Sequence, residues 1–114
     1  MRFLPVFLDL QAGPVVLVGA GEPAQAKLRL LLAAEARVRW FATDGQHDVS
    51  RFDAAAASRV EFANDDPLTA DLSNVIAVLC AGAGETGHAM ASRARSLGVP
   101  VNVMDEVAHS TFIF

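Results

Sequence analysis

A glycine-rich turn between an apolar run and a leucine-rich segment is the part of the sequence best suited to bind a ligand. The run Val15–Val18 is followed by the pattern Gly19-x-Gly21-x-x-Ala24. In a dinucleotide-binding turn, the first glycine permits a tight reversal, the second lets the backbone approach a pyrophosphate, and a small third residue lets helix and strand pack closely. Pro23 suits the first turn of a helix, where a missing N–H costs no intrahelical bond. We therefore predict a dinucleotide against this helix start; an ordinary strand-to-helix turn is the alternative.

A second Gly-x-Gly-x-x-Gly pattern spans Gly82–Gly87 and follows the apolar run Val75–Leu79. Because the pattern occurs twice, glycine spacing alone does not identify the pyrophosphate site. The turn after the first strand of a doubly wound sheet normally holds the pyrophosphate, and the turn after the fourth lies across the point where strand order reverses. We assign Gly82 and Gly84 to the opposite wall of the crevice. A flexible turn without ligand contact is the alternative.

Two polar residues, Thr43 and Asp44, follow the second predicted strand. Asp44 lies roughly 20 residues beyond the glycine turn, the spacing of a carboxylate that bonds the ribose 2′-hydroxyl and repels a 2′-phosphate. This placement favours NAD over NADP as the cofactor. Thr43-Asp44-Gly45 is also ordinary turn chemistry, so the sequence leaves both interpretations open.

Strand and helix signals alternate along the chain, as in a doubly wound α/β protein. Apolar runs predict strands at Val15–Val18, Val38–Phe41, Val60–Phe62, Val75–Leu79, Val101–Val103 and Thr111–Phe114, and a further strand within Met1–Leu10 that joins the fold. Helical spacing predicts helices at Ala24–Ala34, Val49–Ser58 and Thr86–Leu97, with a weaker helical turn at Leu68–Leu72. Right-handed crossovers between these elements give a Rossmann-like, mainly parallel sheet flanked by helices, in one domain of residues 1–114.

Composition limits the classes of partner. The 114 residues are 53% hydrophobic and 19% charged, with a net charge of −4. These values describe a folded domain and argue against nucleic-acid binding. The apolar run Val75–Ala83 has about half of the roughly 20 residues that a membrane span needs. One cysteine, Cys80, excludes an internal disulfide and suits a reducing cytoplasm, where we expect the protein.

Four segments together resemble one enzyme family. They are Leu4–Leu10 (LPVFLDL), Val16–Gly21 (VLVGAG), Val101–Asp105 (VNVMD) and Ser110–Phe114 (STFIF). From Leu4 to its last residue the chain is similar to the N-terminal domain of siroheme synthase, the precorrin-2 dehydrogenase / sirohydrochlorin ferrochelatase family. These segments, in this order and spacing, are far more specific than the glycines alone.

The resemblance implies NAD-dependent oxidation of the tetrapyrrole precorrin-2 to sirohydrochlorin, and in some relatives the same site also inserts ferrous iron. It places Asp105 at the family's catalytic aspartate, and Glu22 and Pro23 in the cofactor turn. A carboxylate in a partly dry cleft is a suitable base for the proton that must leave when hydride goes to a nicotinamide. The alternative for Asp105 is a turn former or helix cap. Asn102 either positions polar groups of the substrate or braces its loop.

No metal site is expected from the remaining candidates. His109 follows Asp105 by four residues, but the family has no fixed histidine there, and a surface histidine is the better interpretation. His47 and His88 make no metal constellation with Cys80, which we expect in the core. Any iron handled by the protein would be a substrate.

Two departures from the family pattern bear on activity. Ala81–Gly84 stands where relatives usually carry a Thr-Asp-rich segment, and Ala26 replaces a basic residue beside Lys27. In the family, the segment that ends here at Phe114 continues into a dimerisation region and a helical domain that completes the tetrapyrrole site. We therefore expect a domain of a longer, homodimeric enzyme, with weak or absent turnover alone and an unprotected hydrophobic edge at its last strand. A non-catalytic dinucleotide-sensing module is the competing hypothesis.

Overall fold

A parallel five-stranded sheet lies at the centre of the computed structural model, which describes residues 1–113. Its strands are, in chain order, β1 (Val15–Gly19), β2 (Val38–Ala42), β3 (Val60–Ala63), β4 (Ala77–Ala81) and β5 (Val101–Val103). The helices are α1 (Gly21–Ala33), α2 (Ala54–Ala57) and α3 (Gly84–Ser96), and a 3₁₀ helix follows at Val107–His109. Neighbouring strands pair in the order β3-β2-β1-β4-β5, and each of these pairs is parallel. The predicted Rossmann-like, doubly wound α/β fold is confirmed.

Strand β1 carries core side chains on both of its faces. Val15 and Leu17 pack in one cluster with Leu28 of α1, whereas Val16 and Val18 pack in another with residues of α3. Successive side chains of a strand point to opposite faces. An apolar run without polar interruption is therefore what a strand covered on both sides requires.

Helix α1 follows from the spacing of its leucines. Leu28, Leu31 and Leu32 are buried on the face that packs against the sheet. The helix ends where Glu35 takes a φ of 64° and the Ala36 N–H donates to the Leu31 carbonyl at 3.0 Å. A left-handed residue with such a backward hydrogen bond is a common C-terminal cap.

The carboxyl ends of the three central strands are level with one another. Gly19 of β1 lies opposite Ala42 of β2 and Ala81 of β4. The chain order reverses between β1 and β4, because β2 and β3 lie on one side of β1 and β4 and β5 on the other. Open α/β sheets bind their ligands at this point of reversal.

The predicted N-terminal strand is wrong. Residues 1–9 have no regular secondary structure and are exposed, including the apolar Phe7. Pro5 has no N–H to give to a strand ladder. The Asp9 carbonyl accepts a hydrogen bond from the Ala12 N–H at 3.1 Å, so the chain turns into β1 instead of pairing with the sheet.

The predicted last strand is also wrong over the residues that the structure describes. Thr111–Ile113 runs beside β5 without forming a strand, and Phe114 lies outside the described residues. One backbone hydrogen bond joins this segment to β5, from the Thr111 N–H to the Val101 carbonyl at 2.7 Å. The first and last N–H groups of β5 donate instead to hydroxyls, Thr111 Oγ1 at 2.9 Å and Ser110 Oγ at 2.8 Å. These polar contacts cover the edge of β5. The hydrophobic edge that we expected belonged to the last segment itself, where Ile113 remains exposed.

Two shorter elements differ in extent from the prediction. Within Val49–Ser58 only Ala54–Ala57 is α-helical, because Asp53 caps it with a carboxylate oxygen 2.8 Å from the Ala56 N–H. The predicted helical turn at Leu68–Leu72 is a single hydrogen-bonded turn that begins slightly earlier, where the Asp66 carbonyl accepts the Ala70 N–H at 3.0 Å, and it does not continue as a helix. Among residues 1–113, no helix combines the length and the apolar character needed to cross a bilayer.

Candidate functional site

Gly19 ends β1 in tight contact with the backbone of β4. A Cβ atom at Gly19 would lie 1.7 Å from the Ala81 carbonyl oxygen. On the other side, the buried Trp40 donates its indole N–H to the Gly19 carbonyl at 3.1 Å, and the Thr43 N–H reaches the same oxygen at 3.3 Å. Strands β2 and β4 thus hold the turn from both sides. The packing of the protein itself already requires glycine here, and a contact between Gly19 and a cofactor stays a prediction.

Gly21 begins α1 in the left-handed region of backbone space. Its φ is 70°, and a Cβ atom there would have the Pro23 ring as its nearest neighbour, at 3.7 Å. Ala20, the residue before the helix, gives the first turn no side-chain hydrogen bond. First-turn N–H groups have no acceptor within their own helix. The start of α1 therefore combines uncapped amide donors with an open approach, which is the arrangement that binds anions at helix N-termini.

The second glycine loop packs against the first. A Cβ atom at Gly82 would lie 2.4 Å from the Ala20 carbonyl oxygen and 3.5 Å from Pro23 Cβ. Helix α3 begins at Gly84, where a Cβ atom would meet nothing within 4 Å, and Ala83 before it provides no side-chain cap. The two longest helices thus start side by side, with their positive dipole ends at the same edge of the sheet. The loop lies where we predicted the opposite wall, and its contact with a ligand stays a prediction.

Glu22, in the first turn of α1, is paired with Arg51. The guanidinium Nη1 donates to Oε2 at 3.1 Å, and Nη2 donates to Oε1. These hydrogen bonds and the positive charge of Arg51 lower the pKa of the Glu22 carboxyl. A lone carboxylate at a helix start would repel a phosphate, and the guanidinium offsets part of that charge.

Thr43 and Asp44 follow β2 at the same edge and are exposed. Asp44 Oδ1 accepts a hydrogen bond from the Gln46 N–H at 2.9 Å. The carboxylate therefore forms the local turn that the sequence offered as one of two interpretations. A contact of either residue with a ribose stays a prediction.

Asp105 lies just past β5, at the same edge of the sheet, where the carboxyl ends of the strands meet (the carboxyl edge). It is exposed, and its φ of 61° is a left-handed conformation that aspartate adopts more readily than most residues. The Met104 N–H donates to the Cys80 carbonyl at 2.9 Å, which ties this segment to the end of β4. The buried Asn102 donates its amide to the Phe112 carbonyl at 3.0 Å and so braces the C-terminal segment. The catalytic role of Asp105 and a substrate contact of Asn102 stay predictions.

Cys80 is a core residue, as expected. Its side chain lies in the cluster between the sheet and α3, and burial raises the pKa of the thiol to about 12. Because the thiolate is the reactive and metal-binding form, Cys80 takes no part in chemistry at the carboxyl edge.

Two histidines that the sequence analysis treated separately come together next to the Asp105 segment. His88 of α3 has its Nε2 atom 2.9 and 3.0 Å from the two carboxylate oxygens of Glu106. The His109 ring stacks on the His88 ring, with centroids 4.4 Å apart and planes inclined by 16°. Sequence reasoning missed this group because its members lie on two elements that meet only when α3 packs beside the segment after β5.

Comparison with known proteins identifies the family. A family model described as “Putative NAD(P)-binding” matches residues 6–114. The chain belongs to this family. The match spans both glycine turns and Asp105, and it supports a nicotinamide dinucleotide as the cofactor without distinguishing NAD from NADP.

Over its whole length the chain is similar to siroheme synthases, which confirms the resemblance predicted from the sequence. It is 37% identical to siroheme synthase 2 of Aeromonas hydrophila and 35% identical to the siroheme synthase of Ectopseudomonas mendocina, in both cases over 100% of this chain and 24% of the relative. The chain therefore spans about a quarter of the length of these relatives. A solved structure of SirC, a precorrin-2 dehydrogenase, superimposes with a TM-score of 0.68 at 17% identity, over 98% of this chain and 54% of SirC, and supports the fold.

Proposed function

We propose that this chain is the NAD-binding part of an enzyme that oxidises precorrin-2 to sirohydrochlorin in siroheme biosynthesis. The observation that carries the proposal is the start of α1, where uncapped amide donors and the open Gly21 lie at the point of strand reversal. The reaction is suggested by the names of similar proteins, which are siroheme synthases and, at the level of fold, a precorrin-2 dehydrogenase. Because the chain spans about a quarter of those synthases, the proposed activity is that of a whole enzyme.

The residues at the carboxyl edge fit a dinucleotide. Gly21 leaves room for a phosphate at the amides of α1, and Gly84 leaves similar room at the start of α3. The charge of Glu22 is offset by Arg51 instead of facing a diphosphate alone. Asp44 follows β2, where this fold binds the adenosine ribose, and a carboxylate there favours NAD over NADP. When bound, NAD supplies the hydride acceptor of the reaction.

Asp105 is the residue to which we assign proton removal. Oxidation of precorrin-2 to sirohydrochlorin takes two hydrogens from the macrocycle, one as a hydride and one as a proton that a base must accept. Asp105 follows β5, the strand next to β4, so its carboxylate lies at the edge where we place the cofactor. The Asp105 side chain is exposed, so a substrate bound at this edge can reach its carboxylate, which supports the assignment.

Cofactor binding is tested by titrating the 114-residue chain with NADH and NADPH while exciting Trp40. Trp40 is the single tryptophan, and its indole is bonded to the Gly19 carbonyl beside the proposed site. Energy transfer to the reduced nicotinamide should therefore quench its emission on binding. We expect saturable quenching, with tighter binding of NADH than of NADPH, because the Asp44 carboxylate repels the 2′-phosphate of NADPH. In Asp44→Ser, the preference for NADH over NADPH should be smaller. No saturable quenching by either nucleotide would remove the cofactor assignment.

Catalysis is tested by joining the chain, after Phe114, to the remainder of siroheme synthase 2 of Aeromonas hydrophila and following precorrin-2 oxidation as NADH formation. In Asp105→Ala we expect the rate to fall by about 100-fold or more, the usual contribution of a general base. Glu35→Ala is the matched control, because Glu35 is an acidic residue with the same left-handed backbone (φ 64°) at the other end of α1. Activity that survives Asp105→Ala would show that another group takes the proton.

A non-catalytic dinucleotide-sensing module is the second candidate. The wall formed by Ala81–Gly84 carries no polar side chain that could position a nicotinamide or a tetrapyrrole, and this favours binding without turnover. The two candidates differ in the joined enzyme. If it binds NADH but never oxidises precorrin-2, the sensing role replaces the catalytic one.

A further inference from the structure

A group of three side chains, His88, Glu106 and His109, lies close to the carboxyl edge but is not used by the proposed reaction. Within residues 1–113 it is the one group of three histidine, cysteine or acidic residues whose ligand atoms all lie within 4.8 Å of one another. Its members come from α3 and from the segment after β5. All three are partly exposed, so solvent and solutes reach them.

Within this group, imidazole nitrogens and carboxylate oxygens that can bind a metal lie close together. His88 Nε2 lies 2.9 and 3.0 Å from the oxygens of Glu106, and the His109 ring stacks on the face of the His88 ring with 4.4 Å between centroids. A hydrogen bond that joins α3 to the next segment explains the first contact. It does not explain why a second imidazole, that of His109, lies against the ring of His88.

Two imidazole nitrogens and one carboxylate oxygen form a typical donor set for a divalent transition metal of the zinc type. We propose that His88, Glu106 and His109 bind one such ion, with water in the remaining position. The ion replaces the proton between His88 and Glu106 as their bridge. Glu85, 3.9 Å from His88 Nδ1, adds a second negative charge nearby without joining the ligand set.

Binding needs a local movement of side chains. Ligand atoms of a tetrahedral site with bonds of about 2.0–2.2 Å are roughly 3.4 Å apart, so the group must contract from its present spread of up to 4.8 Å. The two rings must also turn out of their stack, because their nitrogens bind a metal in the ring plane. The His88 and Glu106 side chains are 33% and 42% exposed, which leaves them free of the close packing that would resist such rotations.

The site is separate from the residues to which we assign cofactor binding and catalysis. Asp105 is adjacent to Glu106 in sequence but is not a member of the group. The proposal therefore does not depend on the proposed function. Failure to bind a metal here leaves the start of α1 and its dinucleotide unaffected, and failure to bind NADH leaves the metal site unaffected.

The test is a titration of the 114-residue chain with Zn²⁺ in competition with a chromophoric chelator, repeated with Co²⁺ to record its visible absorption bands. We expect one ion per chain and a Co²⁺ spectrum of a four-coordinate site. Losing a residue that only hydrogen-bonds to a metal ligand commonly weakens metal binding 10- to 100-fold. Losing a ligand itself should have a larger effect, so His88→Asn, Glu106→Gln and His109→Ala should each weaken Zn²⁺ binding by at least about 100-fold. Thermal melting without metal shows whether each variant is folded, and the rise in Tm on adding Zn²⁺ should be lost in all three.

Matched controls separate this site from unspecific binding. His47→Gln removes a histidine that is bonded instead to the Trp40 carbonyl at 2.8 Å, and Glu85→Gln removes the nearby carboxylate. We expect the Zn²⁺ affinity to be unchanged in His47→Gln and about fivefold weaker or less in Glu85→Gln, the range of an exposed charge. The proposal is overturned if the chain binds no Zn²⁺ stoichiometrically, if His109→Ala binds it as the parent does, or if His47→Gln weakens it equally.

Discussion

Adding one methyl group at Gly21 should separate cofactor binding from folding. In Gly21→Ala, the new Cβ atom points into the open space beside the start of α1, where its nearest neighbour is the Pro23 ring at 3.7 Å. The protein can therefore accommodate the methyl group without a clash. A diphosphate at the first-turn amides could not, because the methyl would occupy the approach that glycine leaves open.

The two effects can be given magnitudes. A left-handed conformation costs an L-residue roughly 1–2 kcal/mol relative to glycine, and for a domain of this size 1 kcal/mol lowers Tm by about 4 °C. Gly21→Ala should thus melt about 4–8 °C lower than the parent. Hydrogen bonds to a charged group contribute about 1.5–3 kcal/mol each. The loss of one such hydrogen bond to a phosphate should weaken NADH binding by about 10- to 100-fold.

Gly98→Ala is the matched control for this experiment. Gly98 has a φ of 73°, a Cβ atom there meets nothing within 4 Å, and it lies after α3 at the opposite edge of the sheet from Gly21. Both variants should lose the same stability, measured by circular dichroism, and only Gly21→Ala should lose NADH affinity, measured by Trp40 quenching. Equal NADH affinity in the two variants would refute the assignment of the diphosphate to the start of α1.

Three further predictions follow from single contacts. Gly19→Ala should lower the free energy of unfolding, measured in urea, by about 4 kcal/mol or more, because the new Cβ atom would lie 1.7 Å from the Ala81 carbonyl oxygen and neither backbone can move aside. A loss below about 1 kcal/mol would contradict this packing. The Cys80 thiol should resist iodoacetamide in the folded protein and react on unfolding, and rapid alkylation of the folded protein would argue against its burial. Because burial raises the pKa of this thiol from 9.0 to about 12, the stability that the neutral thiol contributes is complete below pH 9.0 and is lost between about pH 9 and pH 12. Arg51→Ala should raise the pKa of the Glu22 carboxyl toward 4.5, seen by NMR titration; an unchanged pKa would show that the ion pair does not persist in solution.

Local patterns were enough to predict most of the fold. The apolar run of β1 continues without a polar residue because both of its faces are covered, and the leucines of α1 recur at helical spacing because one face is buried. The strand Val101–Val103 was predicted with the bounds that the structure shows. Each of these signals lies within a few residues, so no knowledge of distant partners was needed.

Over residues 1–113, the two predicted strands at the chain ends were wrong because a strand requires a partner. The segment around Phe7 is apolar enough for a strand, but it remains exposed and unpaired. Thr111 lies beside β5 and donates its N–H to the Val101 carbonyl at 2.7 Å, but the Val101 N–H donates to the Thr111 hydroxyl, so no regular backbone ladder forms. Composition cannot show whether a neighbouring edge will be satisfied by backbone or by side-chain groups.

The sequence by itself determined the alternation of strands and helices, the burial of Cys80 and the two glycine turns, because each depends on residue type and short-range spacing. The tertiary structure alone decided that the two turns pack together, with Gly82 against the Ala20 carbonyl, and that His88 and His109 stack beside Glu106. Those contacts join residues far apart in the chain. They exist only because parallel strands bring their carboxyl ends, and the helices that follow them, to one edge of the sheet.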